Sequence, residues 1–454
     1  MWSLNAVSIP LAAIDIRGWG GADYHSHLND LILPFNFLTS RINDAFDIFV
    51  INADLVPRLF DPESGISRIP LSGYRIGIWH WETSSLPAEH AIMGGYFNEI
   101  WVPSQYIKDA IISTAAFPIS NVKVFVIPYA YESLPELDSL FSKICARRAL
   151  SSFLEMKQGK SEIIINYPQQ YYSLSNSLWP QESLFTWFGN FRFLFLIIFD
   201  FNSDIDRKNI ISTITSFNLA FGRKDNVGLV IKSINALHHD NDKLSLLHKI
   251  SNIPNVLYIS GVFQSSELKK LKVSCDCFVS LHRSEGWGLN ILDSVLSGKP
   301  VIASAFGGSE QYMLPLYEKH NLNELRIPIS IVNVTKTFGP YSTDMFWAEP
   351  SIEAAVYAMR QLYLKPNYYA SRAAAVRSDA INILSPEETG LKMKRRLDDI
   401  YQCLCSLRPA VDLWQSSCFS AVRVLNSLNN NSVCEFGIEI GRSSIQGDTI
   451  RSLI

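Results

Sequence analysis

Two carboxylates flank a glycine-containing turn in the second half of the chain. Glu285 opens the turn, and Asp293 follows it within a segment whose apolar residues have helical spacing. Gly286 and Gly288 would let the main chain approach a ligand closely, because they carry no Cβ atom. A carboxylate can accept hydrogen bonds from two hydroxyls, and the N–H groups that begin a helix attract anions. The spacing therefore favours a ligand that combines a diphosphate with several hydroxyls, as a nucleotide sugar does, with Glu285 on the sugar and Asp293 on the ribose.

Two buried strands and a helix must hold this turn in place. Apolar runs at Cys277–Leu281 and Val301–Ser304 predict parallel strands. The residues between them predict a helix, because four apolar residues mark one face at helical spacing: Leu289, Leu292, Val295 and Leu296. Gly298 fits the position just after the last helical turn. The turn then lies at the carboxyl end of a strand, where open α/β sheets bind ligands. A simpler alternative is that Glu285 only caps the turn and that Asp293 is solvated on the helix surface.

The same segment resembles the signature of the retaining GT-B glycosyltransferases of glycosyltransferase family four. That signature is E-x7-E, commonly seen as S-E-G-F-G-L, then an acid, then G-x-P-V-I-A. This chain has S-E-G-W-G-L from Ser284, Asp293 in place of the second glutamate, and G-K-P-V-I-A from Gly298. The resemblance implies two Rossmann-like domains with a cleft between them, and neither a metal nor a cofactor besides the nucleotide-sugar donor. It also implies donor contacts from the turn and the start of the helix: Gly286, Trp287, Gly288 and Leu289.

Further positions become candidates by the same resemblance. His80 follows a predicted strand, at a place where the family often has a histidine that faces the bound sugar. The family holds the diphosphate with an arginine and a lysine five residues apart. Lys208 fits the lysine position, Ser203 stands at the arginine position, and Arg207 is the candidate substitute. Lys232 ends another predicted strand, so it is also a candidate for the phosphates. The alternatives are a histidine packed among aromatic rings and an exposed basic pair at the start of a helix.

The order of predicted elements divides the chain into four parts. Residues 1–135 predict a Rossmann-like acceptor-side domain that lacks the first strand of the family. Residues 136–190 predict a linker or insertion, because much of this part is polar and without periodicity, although Arg147–Met156 has helical spacing. Residues 191–385 predict a second Rossmann-like domain that binds the nucleotide sugar. Residues 386–454 are a predicted helix and tail without an expected role.

The predicted strands follow from short apolar runs between polar or helical stretches. They are Leu11–Ile16, Phe46–Ile51, Arg75–Trp79, Glu99–Val102 and Val122–Ile127 in the first domain, and Phe193–Phe199, Gly228–Lys232, Val256–Ser260, Cys277–Leu281 and Val301–Ser304 in the second. A helix is predicted at Ile352–Leu364.

Composition and charge exclude several classes of protein. Of the 454 residues, 47% are hydrophobic and 18% charged, which is typical of a globular protein and not of a disordered one. The net charge of −3, without a basic run, argues against a nucleic-acid partner. The longest apolar stretch, Phe193–Phe199, is too short to span a bilayer, and the start lacks the positive residues of a secretory signal. We therefore expect a cytoplasmic protein, and peripheral contact with the inner face of the membrane stays open.

These features together predict a retaining hexosyltransferase. It would move a hexose from a nucleotide diphosphate sugar to a hydroxyl of a glycan or lipid-linked acceptor, and the family resemblance alone suggests cell-envelope polysaccharide synthesis. Lys208, Arg207 and the amides of the turn would stabilise the charge of the leaving diphosphate. Two alternatives stay open. One is a non-catalytic or truncated GT-B remnant that binds nucleotide sugar or serves as a scaffold, and the other is a different GT-B-like enzyme such as a nucleotide-sugar epimerase.

Overall fold

The computed structural model describes residues 46–60, 74–130, 140–156, 162–167, 170–173, 188–189, 191–414, 419–421 and 438–440. The predicted strand at Leu11–Ile16 lies outside the described residues. The chain divides into two compact units, one formed by Met1–Glu132 together with Ile383–Ile454, and one formed by Ser133–Asn382.

The first unit is built on a parallel sheet. Its four described strands pair in chain order: β1 (Phe46–Val50), β2 (Tyr74–Ile78), β3 (Glu99–Val102) and β4 (Lys123–Val126). Each lies within one residue of its predicted bounds. Helices α1 (Val56–Leu59), α2 (Ala88–Ala91) and α3 (Gln105–Ser113) connect them. α3 begins after Ser104, whose hydroxyl accepts a hydrogen bond from the N–H of Ile107 at 3.3 Å, as an N-cap serine does.

The second unit contains a larger sheet and most of the helices. Its helices are α4 (Leu140–Met156), α5 (Ile205–Lys208), α6 (Ile210–Ala220), α7 (Asp240–Ile250), α8 (Ser265–Ser274), α9 (Leu289–Leu296), α10 (Glu310–Lys319), α11 (Ile352–Leu364) and α12 (Pro366–Ile383). Its strands are β5 (Glu162–Tyr167), β6 (Gln170–Ser173), β7 (Phe193–Asp200), β8 (Val227–Ile234), β9 (Val256–Ser260), β10 (Cys277–Ser280), β11 (Val301–Ser304), β12 (Arg326–Ile327), β13 (Ile329–Asn333) and β14 (Phe346–Pro350).

Eight of these described strands form one sheet in the order β12-β11-β10-β7-β8-β9-β5-β6. The pairs from β12 to β9 are parallel, whereas β5 is antiparallel to both β9 and β6. β7 is apolar along nearly its whole length and buried, as expected for a central parallel strand covered on both faces. β13 and β14 form a separate antiparallel hairpin. The α/β class predicted from the sequence, with two parallel-sheet units, is confirmed.

The segment 136–190, predicted as a linker or insertion, contributes regular structure to the second unit. Within it, β5 and β6 extend the sheet, and α4 is joined to the core by Arg147. The guanidinium of Arg147 donates to the carboxylate of Asp276 at 3.1 Å and to the carbonyl of Phe191 at 2.9 Å. The polar composition of β6 therefore does not prevent its pairing with β5, because main-chain groups make the ladder.

The C-terminal helix α13 (Pro386–Trp414) belongs to the first unit. Met393, Leu397 and Ile400 join the core formed with the strands of the first sheet. Arg396 forms an ion pair with Glu99 at 2.7 Å, and Glu99 is completely buried. Two short strands, β15 (Phe419–Ala421) and β16 (Ile438–Ile440), follow the helix. Within the described ranges, no helix combines the length and the apolar composition that crossing a membrane requires.

Candidate functional site

The candidate site lies at the point in the sheet of the second unit where the strand order reverses, with β8 and β9 on one side of β7 and β10 and β11 on the other. β7 is flanked by β8 on one side and by β10 on the other, so the segments that leave β7 and β10 start side by side. The segment after β7 carries Arg207 and Lys208, and the segment after β10 carries Glu285. Such switch points at the carboxyl edge of an open α/β sheet are where ligands bind. The topology thus brings three predicted residues together.

The carboxylate of Glu285 forms two ion pairs. Its Oε1 contacts the ammonium group of Lys208, and its Oε2 lies 3.7 Å from Nη1 of Arg207. Only 13% of the Glu285 side chain is exposed. Burial acts to raise the pKa of Glu285, but the charges of Lys208 and Arg207 outweigh burial and lower this pKa to about 2. Glu285 is therefore ionised at neutral pH.

The two basic residues lie on α5, a single helical turn with unusual ends. Asp204 before it and Asn209 after it have φ angles of 56° and 51°. Asparagine tolerates the left-handed region, but Asp204, with a ψ angle of 112°, lies outside it. The Asp204 carboxylate accepts a hydrogen bond from the N–H of Asp206 at 2.9 Å. The chain therefore enters and leaves this turn sharply, in a conformation that tertiary contacts must support.

The glycine turn after Glu285 is held by the loop before α10 and by α10 itself. The hydroxyl of Tyr312 lies 3.0 Å from the carbonyl oxygen of Trp287 and 3.1 Å from that of Gly288. The N–H of Gly308 donates to the carbonyl of Glu285 at 2.7 Å. The carbonyl oxygens of the turn thus have partners within the unit, whereas the first N–H groups of α9 have no acceptor inside the helix. These N–H groups are suited to an anion.

The prediction that Leu289 is buried is wrong. We expected it to share the buried face of α9 with Leu292, Val295 and Leu296, but 54% of Leu289 is exposed while the other three are buried. The physical reason is that α9 starts at the edge of the sheet, so its first residue extends beyond the layer that covers the rest. Its predicted contact with the donor stays a prediction.

Asp293 lies on the side of α9 that faces α8. Its Oδ2 forms an ion pair with the ammonium of Lys272, and both side chains are buried. Burial lowers the pKa of Lys272 to about 8. The other carboxylate oxygen, Oδ1, is buried and accepts no hydrogen bond from the described residues. Asp293 is therefore not a solvated surface residue, and its assignment to the ribose stays a prediction.

Lys232 is buried at the carboxyl end of β8. Its ammonium donates to the carbonyl of Ser233 at 2.7 Å and to that of Gly261, and it lies 4.5 Å from the ring centroid of Phe263. Burial lowers the pKa of Lys232 to about 7. These contacts tie the ends of neighbouring strands together, and the predicted phosphate contact of Lys232 stays a prediction.

His80 lies in the first unit, just after β2. Its ring Nε2 shares a hydrogen bond with the hydroxyl of Tyr129. Its main-chain N–H donates to Oδ1 of Asn52 at 3.2 Å. Burial lowers the pKa of His80, although Glu82 opposes the effect, so the imidazole is neutral at pH 7. Its predicted contact with the sugar stays a prediction.

Two contributors to the site were missed in the sequence. Tyr312 follows the Gly307-Gly308 pair, and this pair is the local feature of the sequence that indicates a turn there. Tyr341, from the loop between β13 and β14, has its ring centroid 5.9 Å from Cζ of Arg207. Nothing local in the sequence indicates this second contact, because the two residues are distant along the chain.

The described part of the chain offers no group of three or more His, Cys, Asp or Glu side chains arranged to hold a metal ion. The cationic groups around Glu285 are those of Lys208 and Arg207. The expectation that the chain needs neither a metal nor a cofactor stays a prediction.

Several solved structures are similar to this chain at low identity. HepE from Anabaena, solved in complex with UDP and glucose, is 13% identical over 72% of this chain and 72% of its own, with a TM-score of 0.44. TarM from S. aureus is 12% identical over 78% of this chain and 55% of its own, with a TM-score of 0.47. The α,α-trehalose 6-phosphate synthase from Burkholderia multivorans is 11% identical over 83% and 74%, with a TM-score of 0.49. Similarities at this level carry no argument about function.

Comparison with curated proteins finds no match. A family model does match, and it covers residues 198–318, from the end of β7 to α10. This range contains Arg207, Lys208, Glu285 and Asp293 together with the glycine turn. The part of the chain that forms the candidate site is therefore similar to the family described as glycosyl transferases group 1.

Proposed function

We propose that this protein is a glycosyltransferase that moves a hexose from a nucleotide diphosphate sugar to a hydroxyl of a glycan or lipid-linked acceptor. The proposal includes retention of configuration at the transferred sugar and a role in cell-envelope polysaccharide synthesis. It also includes a GT-B arrangement of the two units, a cytoplasmic location and peripheral contact with the membrane.

One observation carries the proposal. Lys208 and Arg207 converge on Glu285 at the switch point of the second sheet, next to a glycine turn that opens a helix. The group is a pair of cations beside one carboxylate, so it carries a net positive charge. The similarity to glycosyl transferases group 1 covers the same residues. A ligand with a diphosphate and hydroxyls complements both the charge and the hydrogen-bonding groups.

Glu285 can form its ion pairs with Lys208 and Arg207 and still accept hydrogen bonds from the sugar. An ionised carboxylate offers about four lone-pair positions, and the ion pairs with Lys208 and Arg207 use only part of them. The remaining positions can accept hydrogen bonds from sugar hydroxyls. Because its pKa is about 2, Glu285 acts as a permanent acceptor and not as a proton donor near neutral pH.

Lys208, Arg207 and the first N–H groups of α9 would stabilise the diphosphate as it leaves. Negative charge grows on that group while the bond to the sugar breaks. Positive groups that are already in position lower the energy of this transition state, because they need not reorganise as the charge grows. Such electrostatic stabilisation is usually the largest contribution to catalysis. The site therefore needs no metal for charge neutralisation under this proposal.

A non-catalytic remnant is the alternative. The substitution of Asp293 for glutamate motivates it, because the buried pair with Lys272 leaves Asp293 little freedom to reach a ligand. Such a protein would bind a nucleotide sugar without turning it over, or it would bind none and serve as a scaffold.

Thermal unfolding in the presence of UDP, GDP and the corresponding nucleotide sugars, followed by turnover assays, distinguishes a glycosyltransferase from these alternatives. The proposal expects stabilisation by one nucleoside diphosphate and release of that nucleotide only when an acceptor is present. A scaffold shows no stabilisation by any nucleotide, and a remnant shows stabilisation without turnover. An epimerase would convert the nucleotide sugar to an isomer without any acceptor.

A further inference from the structure

Arg283 joins three segments of the second unit at one point. Its main-chain N–H donates to the carbonyl of Arg207 at 2.8 Å, and its Nη1 donates to the carbonyl of Asp206 at 2.9 Å. Its Nε donates to the carboxylate of Glu349 at 2.7 Å, and its own carbonyl accepts from the N–H of Ala348 at 2.8 Å. Arg283 therefore connects the turn that carries the basic pair, the segment that leads to Glu285, and β14.

The turn needs this support because of its own conformation. Asp204 has a φ angle of 56° and a ψ angle of 112°, a combination outside the left-handed region that residues with a Cβ atom rarely adopt without help from the surrounding structure. Asn209 lies in the left-handed region, which asparagine tolerates. Two local hydrogen bonds exist within the turn, from the N–H of Lys208 to the carbonyl of Asp204 at 3.1 Å and from that of Asn209 to the carbonyl of Ile205 at 2.9 Å. Both close a single helical turn, which Asn209 alone separates from α6, and one turn has too few hydrogen bonds to be stable without other contacts.

The hairpin formed by β13, β14 and their connecting loop supplies the other side of the support. The guanidinium of Arg283 lies 5.4 Å from the ring centroid of Trp347, a fully buried residue of β14. Tyr341 lies over Arg207, and Lys336 pairs with Asp206 at 2.8 Å. The Lys336 pair is largely exposed and contributes little, since surface ion pairs are weak. Arg283 therefore links the hairpin to the turn by hydrogen bonds to both, beside the ring contact between Tyr341 and Arg207.

We propose that Arg283 is a positioning residue that fixes Lys208 and Arg207 for the diphosphate by anchoring their turn to β14. The inference rests on the proposed function and deepens it, since Arg283 acts through the turn and not by contact with the donor. It also gives the β13–β14 hairpin a task, which is to hold that anchor in place.

Hydrogen exchange of the chain without ligand tests the anchor directly. In Arg283→Ala, we expect exchange of the amides at positions 208 and 209 to be at least about tenfold faster, with exchange in β7 and β8 unchanged. Arg360→Ala is the matched control, because Arg360 also lies over an aromatic ring, Phe221, and pairs with an acid, Asp225. Arg283→Lys should give an intermediate result, because lysine cannot reach both acceptors with a planar fork.

Nucleotide binding provides a second readout that a merely structural role would not move. Affinity of Arg283→Ala for UDP or GDP, whichever binds the natural chain, should fall at least about tenfold, while affinity for the matching nucleoside without phosphates should stay the same. Unchanged exchange at 208–209, or equal loosening of the whole unit, would overturn the inference, and so would equal loss for nucleoside and diphosphate. A natural chain that binds neither UDP nor GDP contradicts the proposed function instead, and the exchange result still decides whether Arg283 holds the turn.

Discussion

Gly307 packs directly against the main chain of Glu285, and a side chain at position 307 has no room. A Cβ atom there would lie 2.5 Å from the carbonyl oxygen of Glu285 and 3.2 Å from its nitrogen. The φ angle of Gly307 is 86°, where other residues are strained by roughly 1–2 kcal/mol. The position of Glu285 therefore depends on a glycine in the next loop of the sheet edge.

Gly307→Ala should disturb the site more than the fold. We expect the free energy of unfolding to fall by about 1–3 kcal/mol and donor turnover to fall further, because the Glu285 main chain must shift. Urea denaturation and turnover assays measure both. Gly222→Ala is the control, since a Cβ there meets nothing closer than 3.9 Å. Equal effects of the two substitutions would show that Glu285 does not depend on Gly307.

The pair formed by Lys272 and Asp293 should behave as a coupled unit. Removing one partner of a buried ion pair leaves a buried charge, which costs about 3–5 kcal/mol. Lys272→Met and Asp293→Leu should therefore each lower the free energy of unfolding by about this amount, and the double variant should lose much less than the sum. Denaturation of all four proteins gives the coupling energy. Additive losses would mean that the two side chains do not interact in solution.

The ion pair between Arg396 and Glu99 should hold α13 on the first unit. Glu99 is fully buried, and the Arg396 guanidinium also lies 3.7 Å from the ring centroid of Phe125. Arg396→Met should cost about 3 kcal/mol, because it leaves the carboxylate of Glu99 without its main counter-charge. Lys394→Met, which breaks a partly exposed pair with Asp398, should cost less than about 0.5 kcal/mol. Chemical denaturation measures both, and similar values would contradict the anchoring role of Arg396.

The environment of His80 predicts a loss of stability in mild acid. In the unfolded chain this imidazole takes up a proton near its ordinary pKa of 6.5, whereas burial lowers the pKa in the folded chain. Below pH 6.5 the unfolded state therefore binds more protons, and stability that is present above pH 6.5 is lost as the pH falls. His80→Asn removes this titration. Denaturation at pH 7.5 and 5.5 should show a larger drop for the natural chain than for the variant, and identical drops would place His80 in an exposed environment.

The parallel strands could be predicted from the sequence because each is a short apolar run. The predicted strand ends around Phe193–Phe199, Val256–Ser260 and Val301–Ser304 are confirmed within one residue. The glycine turn and Lys208 are predicted from the resemblance to the family signature. The structure brings Glu285 and Lys208 together because the loops after neighbouring parallel strands lie at one edge of the sheet. These features depend on local pattern and on topology, both of which are visible in the chain.

Other features depend on pairing between distant residues, and the sequence does not show them. β6 consists of polar and aromatic residues, and it forms a strand because β5, itself paired with β9, offers an edge. The ion pair between Lys272 and Asp293 joins two helices, so helical spacing alone left Asp293 as a ribose contact or a solvated residue. The hairpin of β13 and β14, which contacts Arg283, lies outside the motif around Glu285, so that motif does not predict it.

The transfer rate of Glu285→Gln tests the central claim most directly. We expect turnover to fall at least about tenfold, because hydrogen bonds to a charged group are worth about 1.5–3 kcal/mol and Gln keeps the shape of the side chain. The free energy of unfolding should also fall, since Lys208 and Arg207 lose their counter-charge, so turnover is measured at a temperature where the variant is folded. Glu324→Gln is the control, since Glu324 accepts a hydrogen bond from Tyr369 at 2.8 Å elsewhere in the same unit. Turnover lost in Glu285→Gln and kept in Glu324→Gln is the predicted result, and full turnover in Glu285→Gln would contradict the assignment of this carboxylate to the sugar donor.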